Sequence, residues 1–144
     1  MFKFEKHTAD IKIRFEVDEF SQIFQEAINA LNEYLTPRFK DEKERIIEIN
    51  IESISLETLV VDFLNEIIGL LQIEKFLPQT IEIKEQNFFG QQKDNQNDLF
   101  FLKGKLKGKT YDKIYKDIKA ATYHNLNLLK NKDNKLILEV VLDI

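Results

Sequence analysis

A mostly antiparallel β-sheet with two α-helices packed on it, an α+β fold, is what this 144-residue sequence predicts. Apolar/polar alternation recurs in short runs, two stretches instead repeat apolar residues every three or four positions, and strand-like runs close the chain. The predicted order is β-α-β-α-β-β-β-β. No linker or internal repeat divides the chain, so residues 1–144 are expected to form a single domain.

Phe2 and Phe4 alternate with Lys3 and Glu5, and Ile11, Ile13, Phe15 and Val17 alternate with Lys12, Arg14 and Glu16. Period two over residues 10–17 reads as a strand with one wet face. Asp18 offers a carboxylate for a helix N-cap. Phe20, Ile23, Phe24, Ala27, Leu31, Tyr34 and Leu35 then fall at helical spacing, and Pro37 ends that helix. The charged stretch 38–45 reads as a connector, and Ile47, Ile49 and Ile51 alternate with Glu48, Asn50 and Glu52 as a second strand. Ser55 looks like the cap of a second helix, whose apolar stripe is Leu59, Val60, Phe63, Leu64, Ile67, Ile68 and Leu71. Past Pro78, Ile81 and Ile83 mark another alternating segment. "GQQKDNQND" (90–98) contains no apolar residue and reads as a mobile loop. "LFFLKGKLKGK", "IKAATYHNLNLL" and "KLILEVVLDI" read as three strands, the last apolar enough for a central place in the sheet.

Composition narrows the chemistry. With 43% hydrophobic and 32% charged residues the chain is an ordinary water-soluble type, and twelve Phe without Trp point to a core of large side chains. The absence of cysteine removes disulfides, thiolate zinc sites and cysteine nucleophiles, and fits a reducing, cytoplasmic location. Charges begin at Lys3, so no signal peptide is expected, and acids such as Asp62 and Glu66 break the apolar runs, so no membrane span is. A net charge of −4 argues against general, charge-driven nucleic-acid binding.

Several side-chain groups carry two readings. The four glycines match no phosphate-binding loop, and Gly104 and Gly108 read as strand kinks or bulges. Ser21, Ser53 and Ser55 sit at or near helix starts, where capping accounts for them better than a nucleophilic triad. Asp62 and Glu66, one helical turn apart, suit metal binding or acid–base chemistry, or else line a wet helix face. Lys103, Lys105, Lys107 and Lys109 share one strand face; they either follow a phosphate backbone or protect a sheet edge. In "KAATYH", Lys119, Ala121 and Tyr123 share one face and Ala120, Thr122 and His124 the other. His124 reads as a packed, hydrogen-bonded residue, while Lys119 in an apolar strand needs an anion nearby. Finally, Asp10 opens one strand and Asp143 closes another, one residue before Ile144. If they converge, an oxygen-only cluster suits Ca²⁺, Mg²⁺ or Mn²⁺.

"HTADIKI", "LETLVVDFLNEII", "KAATYH" and the final "LDI" together resemble the archease family, through nearly the whole chain and in the family's order. The resemblance implies an accessory protein of the RtcB-type RNA ligase, a GTP- and Mn²⁺-dependent enzyme that joins RNA ends in tRNA splicing or repair. It implies that the chain is not itself the ligase, and that it promotes guanylylation of the ligase's histidine and multiple turnover. By the same resemblance, Asp10 and Asp143 hold a divalent ion with a carboxylate oxygen from Ile144, and Lys119 takes part in activation. His7, Asp62, Glu66 and His124 fall within matching motifs, as neighbours of the ion or of the partner, without a defined role. RNA is contacted only indirectly on this reading. Phe63 stands where family members often have Trp, and "TYDKIYKDI" lacks a histidine that others often carry.

Two other functions fit the residues. A stand-alone metal-dependent phosphoester hydrolase would use Asp10, Asp143 and His7 around a cation with its own water. A small RNA-binding module would use the lysine stripe 103–109.

Overall fold

In the computed structural model, which describes residues 1–6, 10–89 and 99–144, ten regular elements build the expected α+β architecture. They are β1 (Phe2–Lys6), β2 (Asp10–Val17), α1 (Ile23–Leu35), β3 (Arg38–Ser53), α2 (Leu56–Glu74), β4 (Phe76–Asn87), β5 (Phe100–Lys113), β6 (Ala120–Ala121), β7 (Leu129–Lys130) and β8 (Leu136–Asp143). His7 and residues 90–98, where a mobile loop is expected, lie outside the described residues. All strand pairs are antiparallel, but they form two sheets: β1-β2-β8-β6, with β7 also on β8, and β3-β5-β4.

Alternation in β2 works as expected. Ile11, Ile13, Phe15 and Val17 are buried and the residues between them are half-buried. β8 is central, between β2 and β6, and buries Leu138, Val140 and Leu142 against the same core. Phe24 of α1 meets Phe63 of α2 edge to face at 5.0 Å, joining the helices through aromatic contact. Fully buried side chains of this size contribute about 1.5–3 kcal/mol each.

Three local expectations change. Asp18 does not cap α1. The side-chain Oε1 of Gln22, in a 3-10 turn at Phe20–Gln22, accepts from the backbone N–H groups of Asp18 and Glu19, both at 3.0 Å, while the Asp18 carboxylate pairs with Lys135. The expected connector at 38–45 belongs to β3, pairing Arg38 with Lys113 and Glu44 with Lys109 on β5. That ladder carries charge on charge (Arg38–Asp112 at 2.7 Å, Lys109–Glu42 at 2.8 Å), so it shows no apolar period. The "KAATYH" strand shrinks to Ala120–Ala121 because α2, described below, takes over its outer side. Ser55, by contrast, caps α2 as read from sequence, accepting from the Thr58 N–H at 3.1 Å.

Side-chain amides finish the sheet edges that the strands leave open. Gln25 of α1 donates to the Gln79 carbonyl at 2.9 Å and accepts from the Ile81 N–H at 3.1 Å. Asn32 donates to the Pro78 carbonyl at 2.9 Å. The edge of β4 is thereby satisfied by a helix rather than by another strand. Gly104 and Gly108 of β5 lie against β4 at its two register shifts, so the irregularity expected at the glycines falls on the strand opposite them. A Cβ at Gly108 would sit 2.2 Å from the Leu77 carbonyl oxygen, and one at Gly104 2.4 Å from that of Glu82.

Candidate functional site

The antiparallel register of β2 and β8 brings the two ends of the chain together. Asp10, first in β2, lies directly opposite Asp143, last in β8. Facing residues of such a pair have Cβ atoms about 4.5–5.5 Å apart. Asp143 is exposed and Asp10 half-buried, and among the described residues neither carboxylate has an ion-pair partner. On its other side Asp143 faces Ala120, whose small side chain adds no bulk. Ile144 packs against the core and so fixes Asp143 at the rim.

Lys119 joins this pair through the main chain: its N–H donates to the Asp143 carbonyl at 2.8 Å. Its side chain is exposed, so the cost of a buried lysine does not arise, and among the described residues it has no ion pair. Asp10, Asp143, Ile144 and Lys119 therefore meet at one end of the five-stranded sheet. Like charges directly opposite one another destabilise a ladder. Here two carboxylates face each other, with the Lys119 main chain hydrogen-bonded to Asp143 on its other side. The described residues contain no group of three His, Cys, Asp or Glu that could hold a metal ion.

The other candidates have different surroundings. Asp62 and Glu66 are one turn apart on α2, but their environments differ. Asp62 is half-buried and accepts from the hydroxyls of both Ser53 and Tyr123, one on each carboxylate oxygen. That hydrogen bond, then burial, holds the Tyr123 hydroxyl above its ordinary titration range. Glu66 is exposed on the next turn. His124 is not a packed strand residue but an exposed turn residue. It lines a cavity of about 180 Å³ with Lys12, Glu139 and Val141, on the face of β8 away from the core.

The lysine stripe also sits differently from either reading. β5 is the central strand of its sheet, so edge protection does not apply. Lys105 stands between Glu48 and Glu82, Lys109 opposite Glu44, and Lys103 is 3.9 Å from Glu85. Facing acids offset the charge of Lys103, Lys105 and Lys109, while Lys107 stands between Ile46 and Thr80.

Sequence reasoning missed Asn65. Its amide donates to the Ala121 carbonyl at 3.0 Å and accepts from the Ala121 N–H at 2.8 Å, standing in for a neighbouring strand. Gln72 donates to the Ile118 carbonyl at 3.4 Å. The available signal was an asparagine, a poor helix former, placed in the middle of an apolar helix.

Fold and site thus define a small two-sheet α+β protein with a carboxylate pair at its strand ends. The sequence model of the Archease protein family (MTH1598/TM1083) matches residues 2–144, and the chain belongs to that family. A protein archease of Pyrococcus furiosus is 31% identical over 143 residues, covering 96% of this chain and 95% of the relative. One from Sulfurisphaera tokodaii is 30% identical over 149 residues, covering 99% and 98%. Among solved structures, an archease from Thermotoga maritima described as a possible chaperone superposes with a TM-score of 0.67 at 26% identity, covering 100% of this chain and 98% of that one. The solution structure of protein 1598 of Methanobacterium thermoautotrophicum has the same fold, with a TM-score of 0.68 at 22% identity over 99% of this chain and 98% of that one. No helix among the described residues is long and apolar enough to cross a membrane.

Proposed function

We propose that this protein activates an RtcB-type RNA ligase in the cytoplasm. It promotes GTP-dependent guanylylation and multiple turnover of the ligase in tRNA splicing or RNA repair, without joining RNA itself. The observation that carries this reading is the direct pairing of Asp10 with Asp143, with Lys119 hydrogen-bonded to the Asp143 main chain. Family membership supports it, and the description of the Thermotoga maritima relative as a possible chaperone is in keeping with an accessory role.

The donor chemistry fits a divalent ion of the Ca²⁺, Mg²⁺ or Mn²⁺ type. Both side-chain donors are carboxylate oxygens, and bringing them together costs least with a cation between them. Asp10 and Asp143 would hold the ion, with a carboxylate oxygen of Ile144 as a third donor. When bound, the ion supplies positive charge close to a nucleotide's leaving pyrophosphate. Asp10 and Asp143 would keep that charge at the end of the sheet. Lys119 adds a cation for a phosphate or a ligase carboxylate, while the partner ligase contributes the nucleotide pocket and the nucleophile.

A multiple-turnover assay tests the reading. A co-resident RtcB-type ligase, with GTP, Mn²⁺ and excess RNA ends, is expected to exceed one product per enzyme when this chain is added. Lys119→Ala is expected to remove most of that gain. A ligase that cycles equally well without the chain contradicts the reading.

A further inference from the structure

Lys119 sits on a segment with little structure of its own, since β6 is only two residues long. Its placement comes from α2. Gln72 holds the Ile118 carbonyl, Asn65 holds both polar groups of Ala121, and Asp62 accepts the Tyr123 hydroxyl. Residues 62, 65 and 72 lie on one stripe of the helix and meet 123, 121 and 118 in reverse order. Ten helical residues rise about 15 Å and five extended residues span about 16 Å, so the two run side by side without slack. Asp62 is in turn held by Ser53 at the end of β3. On the opposite side, the Lys119 N–H and the Thr122 N–H donate to the carbonyls of Asp143 and Val141, both at 2.8 Å. The segment is thus clamped between α2 and β8, with Asn65 supplying two of its bonds.

We propose that Asn65, backed by the Asp62–Tyr123 hydrogen bond, is a positioning residue that fixes the Lys119 main chain against Asp143 of the carboxylate pair. The point at which the Lys119 side chain leaves the backbone is then held at a constant place relative to Asp143. Asn65 touches neither carboxylate; it acts through Lys119. The functional arm of the test rests on the ligase-activation reading, and the structural arm does not.

Two variants of the full chain separate positioning from folding. Asn65→Ala removes both bonds while improving helix propensity, so α2 stays intact. Tyr123→Phe removes only the hydroxyl. In amide hydrogen exchange, Asn65→Ala is expected to speed exchange at Lys119 and Ala121 about tenfold, the size of one lost hydrogen bond. The β2–β8 amides should stay protected. Tyr123→Phe should act in the same direction but more weakly. Unchanged exchange at Lys119 in Asn65→Ala overturns the proposal.

In the ligase guanylylation assay at saturating chain, Asn65→Ala is expected to lose about tenfold in rate. The Asn65→Ala/Lys119→Ala double variant should be no worse than Lys119→Ala alone, because both remove the same contribution. Losses that multiply mean that Asn65 acts independently of Lys119, and overturn the proposal. If the wild-type chain and Lys119→Ala affect no ligase alike, the ligase reading fails, and the exchange experiment alone decides the positioning role.

Discussion

Asp10 and Asp143 face each other across the β2–β8 ladder, one opening its strand and the other closing its own. Two acids in direct register work against the strand pairing that brings them together, so this is where the structure gives up stability for charge.

Relieving the pair should therefore stabilise the chain when no divalent ion is present. Asp10→Asn keeps the shape and removes one charge, and is expected to gain about 0.2–1 kcal/mol, the range of a cross-strand pair. With Ca²⁺ or Mn²⁺ at a hundredfold excess over its dissociation constant, the wild type should gain about 2.7 kcal/mol and Asp10→Asn far less. Thermal unfolding with and without each ion measures both.

The three glycines that can be compared make opposite predictions. Gly108→Ala and Gly104→Ala force a Cβ to within 2.2 and 2.4 Å of β4 carbonyl oxygens, against backbone that has no rotamer to move to. Each is expected to cost about 1–3 kcal/mol or more, as overpacking does. Gly69, inside α2, has nothing within 4 Å of its built Cβ. Gly69→Ala should then gain up to about 1 kcal/mol. Urea unfolding of the three variants checks the order.

Tyr123 links stability to alkaline pH. The hydrogen bond to Asp62, then burial, raises its folded-state pKa above the ordinary 10.0. A raised pKa contributes stability that is complete below the unfolded value and is lost as pH climbs through the folded one. Stability should fall above pH 10 or so, less steeply in Tyr123→Phe than in wild type. Tyr34 and Tyr111, raised by burial and then by Asp117, keep part of the slope in the variant. Denaturation at a series of pH values between about 9 and 11 reads the difference.

The elements with apolar period, β2, α1, α2 and β8, were legible because burial writes its spacing into the side chains. The first half of β3 was not, because Arg38, Phe39 and Glu44 pair through the backbone and the stretch is held by ions such as Lys109–Glu42, which leave no period. The division into two sheets was also hidden, since alternation states which face is wet but not which strand lies alongside. At the site, the acids at either end of the chain could be named from sequence, and their register then placed them together. Asn65 could not be named as a clamp, because its partner is the backbone of Ala121, which carries no side-chain signature. Lys119 was expected to need an anion because its neighbours are apolar. It needs none for burial, since the strand ends one residue after it begins and leaves the side chain exposed.

The most direct test of the central claim is ligase guanylylation with GTP and Mn²⁺, comparing the wild-type chain with Asp10→Ala and Asp143→Ala. The account predicts that each variant folds, keeps its β2–β8 ladder and loses most of the stimulation. Stimulation by both variants equal to wild type would contradict it.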